Sequence, residues 1–164
     1  MKQKQRQKIA HLGLFTAVAI IFGYVESLIP VFAGIPGIKL GLANLAVLFI
    51  LERYRLREAA LVSVVRILVI GFLFGNLFSI AYSLAGAALS LTVMTLIKKY
   101  SDSSLQLISV AGGISHNIGQ LIIAVFLVGN ASLFYYAPVL LISGLVTGLM
   151  IGWLTREVLK RVPF

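Results

Sequence analysis

The chain has 164 residues, the length of one domain, of which 60% are hydrophobic and 12% charged, about half the ~25% charged share of an ordinary soluble domain. That composition excludes a soluble globular protein and points to an integral membrane protein, while the absence of cysteine excludes disulfides and thiolate metal sites. The formal net charge of +9 would suit nucleic acid, but the cations gather where apolar segments end, which argues against that partner.

Six apolar segments follow one another, at roughly 9 to 29, 40 to 51, 58 to 75, 77 to 97, 105 to 128 and 133 to 155. Most have the ~20 residues that a helix rising 1.5 Å per residue needs to cross ~30 Å of hydrocarbon. The first follows the basic start MKQKQRQK, is long for a signal-peptide core and has no small-residue cleavage site, so it is predicted to be a mature helix. It carries Gly13 and Ala17 near its start, and Glu26 and Pro30 near its end. The stretch PGIKLGLAN at 36 to 44 then sets Lys39 and Asn44 before a short second segment, which is tilted, re-entrant or extended at its start by PGIK. Gly37 and Gly41 in it read as a flexible joint. The third segment holds Arg66 about eight residues in, ~12 Å from its start. The fourth begins after Asn76 and stacks Ser79 on Ser83 at i and i+4, a face continued by Gly86 and Ser90. In the fifth, His116 stacks on Gln120 in the same way, beside Asn117. The sixth carries a ridge of Gly144, Gly148 and Gly152, which either packs within the chain or docks another membrane subunit.

With six spans and a cytoplasmic N-terminus, the inside segments hold every Lys and Arg except Lys39 and Arg66. Such a bias satisfies the positive-inside rule, with a possible second role at anionic lipid headgroups. The expectation is therefore an all-α, six-helix transmembrane bundle with both termini cytoplasmic, forming a single integral membrane domain over 1–164.

This orientation gives each polar residue a depth. Glu26, Lys39 and Asn44 fall near the outer ends of their helices, Arg66 near the middle, and Asn76, Ser83, His116, Asn117 and Gln120 in the middle and outer half. An ionised side chain at the bilayer centre costs a few kcal/mol, so such groups face a partner, the bundle interior or a watery cavity. Together they read as an outward-open pocket for an anionic group such as carboxylate or phosphate, with Arg66, Lys39 and His116 supplying positive charge. The alternatives are a Lys39 that snorkels to headgroups, an Arg66–Glu26 ion pair, a core His116, and amides that join helices.

Catalytic motifs are missing: there is no GxxxxGK[ST] and no HExxH, and the two histidines lie at opposite depths. The only aspartate is Asp102, whereas a polyprenyl synthase holds Mg²⁺ with paired aspartate-rich motifs. No cofactor is called for.

Glu26 and Pro30, then PGIKLGLAN, Arg66, SLAGAALSLTVM at 83 to 94 and GGISHNIGQ at 112 to 120 are ordered blocks across nearly the whole chain. They resemble the bacterial membrane family labelled heptaprenyl diphosphate synthase component I, also called the Gx transporter family. That family is similar to the S components of energy-coupling factor (ECF) transporters. The resemblance implies an extracellular substrate site, a gating loop between the first two helices, and a first helix that docks a transmembrane T subunit driven by two ATPases. Gly13 and Ala17 match the docking positions, with Gly13 where Ala is more usual. Partners are then a small-molecule substrate, the T subunit with its ATPases and the lipid bilayer. The other label implies a noncatalytic membrane subunit beside a prenyl synthase.

Overall fold

The structure is a computed structural model in which residues 2–28 and 41–162 are described. Lys39, together with Pro30 and Gly37, lies outside the described residues. In chain order the helices are α1 (Lys2–Leu28), α2 (Leu42–Arg53), α3 (Leu56–Phe74), α4 (Leu77–Tyr100), α5 (Leu105–Val128) and α6 (Ala137–Arg161), with a 3₁₀ turn over Ala131–Tyr136.

Local chemistry accounts for most boundaries. Asn76 accepts the Ser79 N–H at 2.8 Å and starts α4, and Ser104 accepts the Leu107 N–H at 3.3 Å and starts α5. Glu58, three residues into α3, reaches back to the Arg55 N–H at 3.2 Å. Gly41 precedes α2 with φ of 75°, a left-handed conformation that side chains disfavour, so the chain needs glycine at this position of the predicted joint.

Helices α1, α4, α5 and α6, the last with its preceding 3₁₀ turn, are long and apolar enough to cross a membrane. Their outward faces are hydrophobic, with Phe126 79% and Leu77 76% exposed, as suits side chains that meet lipid. The chain is a multi-pass membrane protein. The two remaining helices differ from simple spans for physical reasons. At 12 residues α2 reaches only about 18 Å. Every residue from Leu45 to Leu51 is buried, so protein rather than lipid surrounds it. In α3, Arg57, Glu58 and Arg66 interrupt the apolar run.

One end of the bundle is basic and tied together by polar contacts. Lys8 pairs with Glu58, and His11 Nδ1 lies 3.0 Å from the Tyr54 hydroxyl. Lys98 Nζ donates to the Leu51 carbonyl at 2.8 Å and pairs with Glu52 at 3.0 Å. Arg53 donates to the carbonyls of Leu159 and Val162, covering the end of α6. The start of α1, the α2–α3 turn and the ends of α4 and α6 thus lie side by side, as the cation pattern requires. The main core is above this end, where Phe49 stacks on Phe15 with centroids 4.3 Å apart among Leu48, Val62, Leu91, Met94 and Ile151.

Candidate binding site

Toward the other end, α1, α2, α3, α4, α5 and α6 all contribute to a chamber of polar side chains. Glu26, Asn44, Arg66, Ser83, His116, Asn117, Gln120 and Thr147 line one small cavity of ≈ 50 Å³, with Gly41 and Gly113. Glu26, Arg66 and Ser83 also line an adjoining cavity of ≈ 300 Å³, bounded by Gly23, Ser27, Gly71, Phe74 and Ser79. A cavity needs only ~10–15 Å³ to hold a water, and ~300 Å³ is the lower bound for organic ligands. The inner recess is thus large enough for water and the wider vestibule reaches the size of small-ligand sites, with Arg66 lining both.

Arg66 Nη2 donates to Asn44 Oδ1 at 3.2 Å, while its Nε is buried and has no hydrogen-bond partner among the described residues. A guanidinium offers five donors in a rigid fork, so this leaves capacity for an acceptor in the vestibule. Glu26 shares the chamber, yet no ion pair joins it to Arg66 among the described residues. Its Oε1 instead accepts the Leu42 N–H at 2.8 Å, at the open start of α2, where helix backbone donors lack partners. Glu26 thereby fixes how α2 enters the bundle, and it acts on Arg66 as an opposite charge across the chamber without a direct ion-pair contact.

The amides divide by role. Asn117 donates through Nδ2 to the Leu140 carbonyl at 2.6 Å, so it joins α5 to α6 as well as lining the recess. Gln120 is 2% exposed and lines the recess, and its Oε1 is buried without a partner among the described residues. His116 lines the recess and a second ≈ 40 Å³ cavity below it, beside Ser63, Ser90 and Ser109. Asn76 does not join the group: it is exposed, caps α4 and lines a separate apolar groove with Phe78, Tyr82, Leu133 and Tyr136. A residue just before a helix is as readily a cap as a ligand, and here the backbone claims it. Of the predicted set, Glu26, Asn44, Arg66, Ser83, His116, Asn117 and Gln120 converge.

Two contributors escaped the sequence reading. Ser63 is one turn before Arg66 on α3 and is buried against the lower cavity. Thr147 lies between Gly144 and Gly148, lines the recess, and returns its own hydroxyl proton to the Ser143 carbonyl at 2.8 Å. Its place inside the glycine ridge was the available signal, since the ridge faces α5.

The proposed docking positions lie elsewhere. Gly13 and Ala17 are exposed on α1, and a side-chain carbon built on Gly13 would meet nothing within 4 Å. By contrast the α6 ridge is consumed inside the chain: a carbon on Gly144 would lie 2.8 Å from the Gly113 carbonyl oxygen, and one on Gly148 would lie 2.7 Å from Val110 Cα. Of the two readings for that ridge, internal packing holds.

A family model described as heptaprenyl diphosphate synthase component I matches residues 15–158. The chain belongs to this family. The match runs past both edges of the chamber, from before Glu26 on α1 to beyond Thr147 on α6, so the stretch that defines component I proteins includes the whole polar site. Searches of curated proteins and of solved structures found no match. The component I label speaks of a synthase, yet the only aspartate in this chain, Asp102, is exposed in the α4–α5 turn, outside the chamber.

Proposed function

We propose that this component I protein is the substrate-capturing membrane subunit of an ECF-type transporter, an S component-like six-span bundle. Both termini lie in the cytoplasm, the membrane is the bacterial cell membrane, and the solute is small and anionic or amphipathic. The observation that carries this reading is Arg66, a cation held inside the bundle that lines both the recess and the ≈ 300 Å³ cavity and makes one side-chain hydrogen bond among the described residues, to Asn44. A cation kept at such depth costs a few kcal/mol on insertion scales, a cost consistent with a ligand that completes its contacts. A carboxylate or phosphate does so through the fork, with Asn44, Ser83, His116 and Gln120 as neighbours. In this reading Lys39, just before Gly41 in sequence, adds a second cation at the mouth. The open face at Gly13 and Ala17 supports docking of a T subunit with its two ATPases.

The test is ligand capture by the purified full chain, by native mass spectrometry of co-purifying small molecules and by uptake in cells. Arg66→Ala is expected to fold and to lose at least roughly tenfold in binding or uptake, equivalent to ~1.4 kcal/mol. Lys39→Ala is expected to follow it. Undiminished uptake in both variants ends the pocket reading.

The family name favours one other reading, a noncatalytic membrane partner for heptaprenyl diphosphate synthase component II. That role uses the basic end of the bundle, so prenyl synthase activity in membranes would persist in Arg66→Ala and fall when the α2–α3 turn is altered.

A further inference from the structure

A second recess lies at the basic end, away from the chamber. Its walls are Lys4, Gln7, Lys8 and His11 on α1, with Arg53 and Tyr54 from the α2–α3 turn, around ≈ 240 Å³. Positions 4, 7, 8 and 11 recur at helical spacing, so one face of α1 presents them all to the turn.

The recess is ordered before anything enters it. Lys8 is held by Glu58 and lies over the Tyr54 ring at 5.7 Å, and the Tyr54 hydroxyl meets His11 at 3.0 Å. Arg53 uses Nη2 on the carbonyls of Leu159 and Val162, which leaves its other N–H donors. Lys4 has no hydrogen bond or ion pair among the described residues and is exposed. Lys8 and Arg53, whose side chains are already held, lose less entropy when they take up an anion, and Lys4 adds an ammonium with all its donors free among the described residues. Glu58 offsets one of these charges, so positive charge remains in surplus around the recess.

Depth and size narrow the occupant. As a helix of 27 residues, α1 is about 40 Å long, ~10 Å more than the hydrocarbon it crosses. Its first turns therefore stand at headgroup level. The volume is below the ~300–1,000 Å³ of sites for whole organic ligands and suits a compact charged group. We propose that this recess binds phosphate or diphosphate oxygens, carried by an anionic phospholipid headgroup or by a soluble phosphoester, with Lys4 and Arg53 as the principal donors and Tyr54 and Gln7 as neutral ones.

The experiment uses the full chain in phosphatidylcholine nanodiscs titrated with inorganic diphosphate by calorimetry, and native mass spectrometry in mixed phosphatidylglycerol and phosphatidylcholine to count retained lipids. Lys4→Gln, at an exposed position where folding is not at stake, is expected to weaken whichever anion binds by about fivefold, the weight of one cation near a membrane surface. Arg53→Gln joined to Lys4→Gln is expected to weaken it further. The control is Arg6→Gln, the same charge change on the opposite face of α1, expected to alter binding less than about twofold because exposed charges at a distance are screened. Saturable diphosphate binding that depends on Lys4 assigns a soluble source, and selective phosphatidylglycerol retention that depends on Lys4 assigns the lipid. Equal losses in Arg6→Gln and Lys4→Gln, or no binding in either arm, overturn the site.

Discussion

Where α5 meets α4 and α6, glycines bring backbones together, and where α1 meets α2 and α3, large side chains fill the space between. On the first side a carbon added to Gly119 would stand 2.8 Å from the Ala85 carbonyl oxygen, and one on Gly86 2.9 Å from that of His116. Ser109 adds a hydrogen bond across the same seam, to the Gly148 carbonyl at 2.6 Å. On the other side Phe15, Phe49, Leu48 and Val62 interlock, and Gly13 on the outer face of α1 touches nothing. The difference matters in lipid, where burial away from water no longer drives helices together and close contact must do so. Backbone contact has no soft atoms to yield, whereas side chains repack. The chamber lies on the boundary: His116, Asn117, Gln120 and Thr147 come from the close-packed half, Glu26, Asn44 and Arg66 from the other.

The close-packed half is least tolerant at Gly144. A leucine there meets Gly113 and Ile114 backbone atoms at 2.8 to 2.9 Å, so α5 and α6 have to separate. We expect Gly144→Leu to cost at least the ~3 kcal/mol at the top of the overpacking range, seen as loss of the monodisperse folded protein in detergent. A stable, monodisperse variant would show that the seam is softer than these contacts imply. Next comes Phe49→Ala, fully buried in the side-chain half, expected to lower stability by ~3–5 kcal/mol through the cavity it leaves. Because that half repacks, filling the space with Phe49→Leu should recover most of the loss in thermal unfolding, and no recovery would contradict the contrast.

Smaller effects sharpen the boundary. Asn117→Ala removes one bond between α5 and α6 and is expected to cost ~0.6–1.7 kcal/mol in unfolding by denaturant. A larger loss would mean that the glycines hold the seam less than this bond does. Gly13→Leu is expected not to lower stability, since the added atoms meet open space and glycine is the poorer helix former by up to ~1 kcal/mol. The same variant should abolish co-purification of a T subunit if that face docks one, and retained co-purification moves the docking surface elsewhere.

Much of the fold was legible because a bilayer imposes length and apolarity on any helix that crosses it. Fourth and fifth segments predicted at 77 to 97 and 105 to 128 became helices 77–100 and 105–128. The short second segment was visible as short, but its place in the core was not, since an apolar run reads alike whether lipid or protein surrounds it. The chamber was legible to the extent that polar groups in an apolar sequence need somewhere to go. The sequence points Asn76 to the chamber while the structure makes it a cap on α4, because helix caps and ligands draw on the same residue types. Glu26 was assigned to the chamber without its backbone partner, because the Leu42 N–H is orphaned only once α2 begins there. Ser63 and Thr147 went unseen because small hydroxyl residues satisfy themselves within a helix and give little periodic signal.

A multi-pass helical membrane protein, cations grouped where apolar segments end, and a scarcity of polar residues that makes each of them informative are all properties of the amino-acid order alone. These follow from the cost of placing charge and unpaired backbone in hydrocarbon, which acts on every segment separately. Which polar groups meet follows from helix packing: Arg66 donates to Asn44 while Glu26 accepts the Leu42 N–H, the α6 glycines are spent on α5, and Gly13 remains open. Those outcomes depend on the rotation and spacing of one helix against another, set by contacts between residues far apart in the chain.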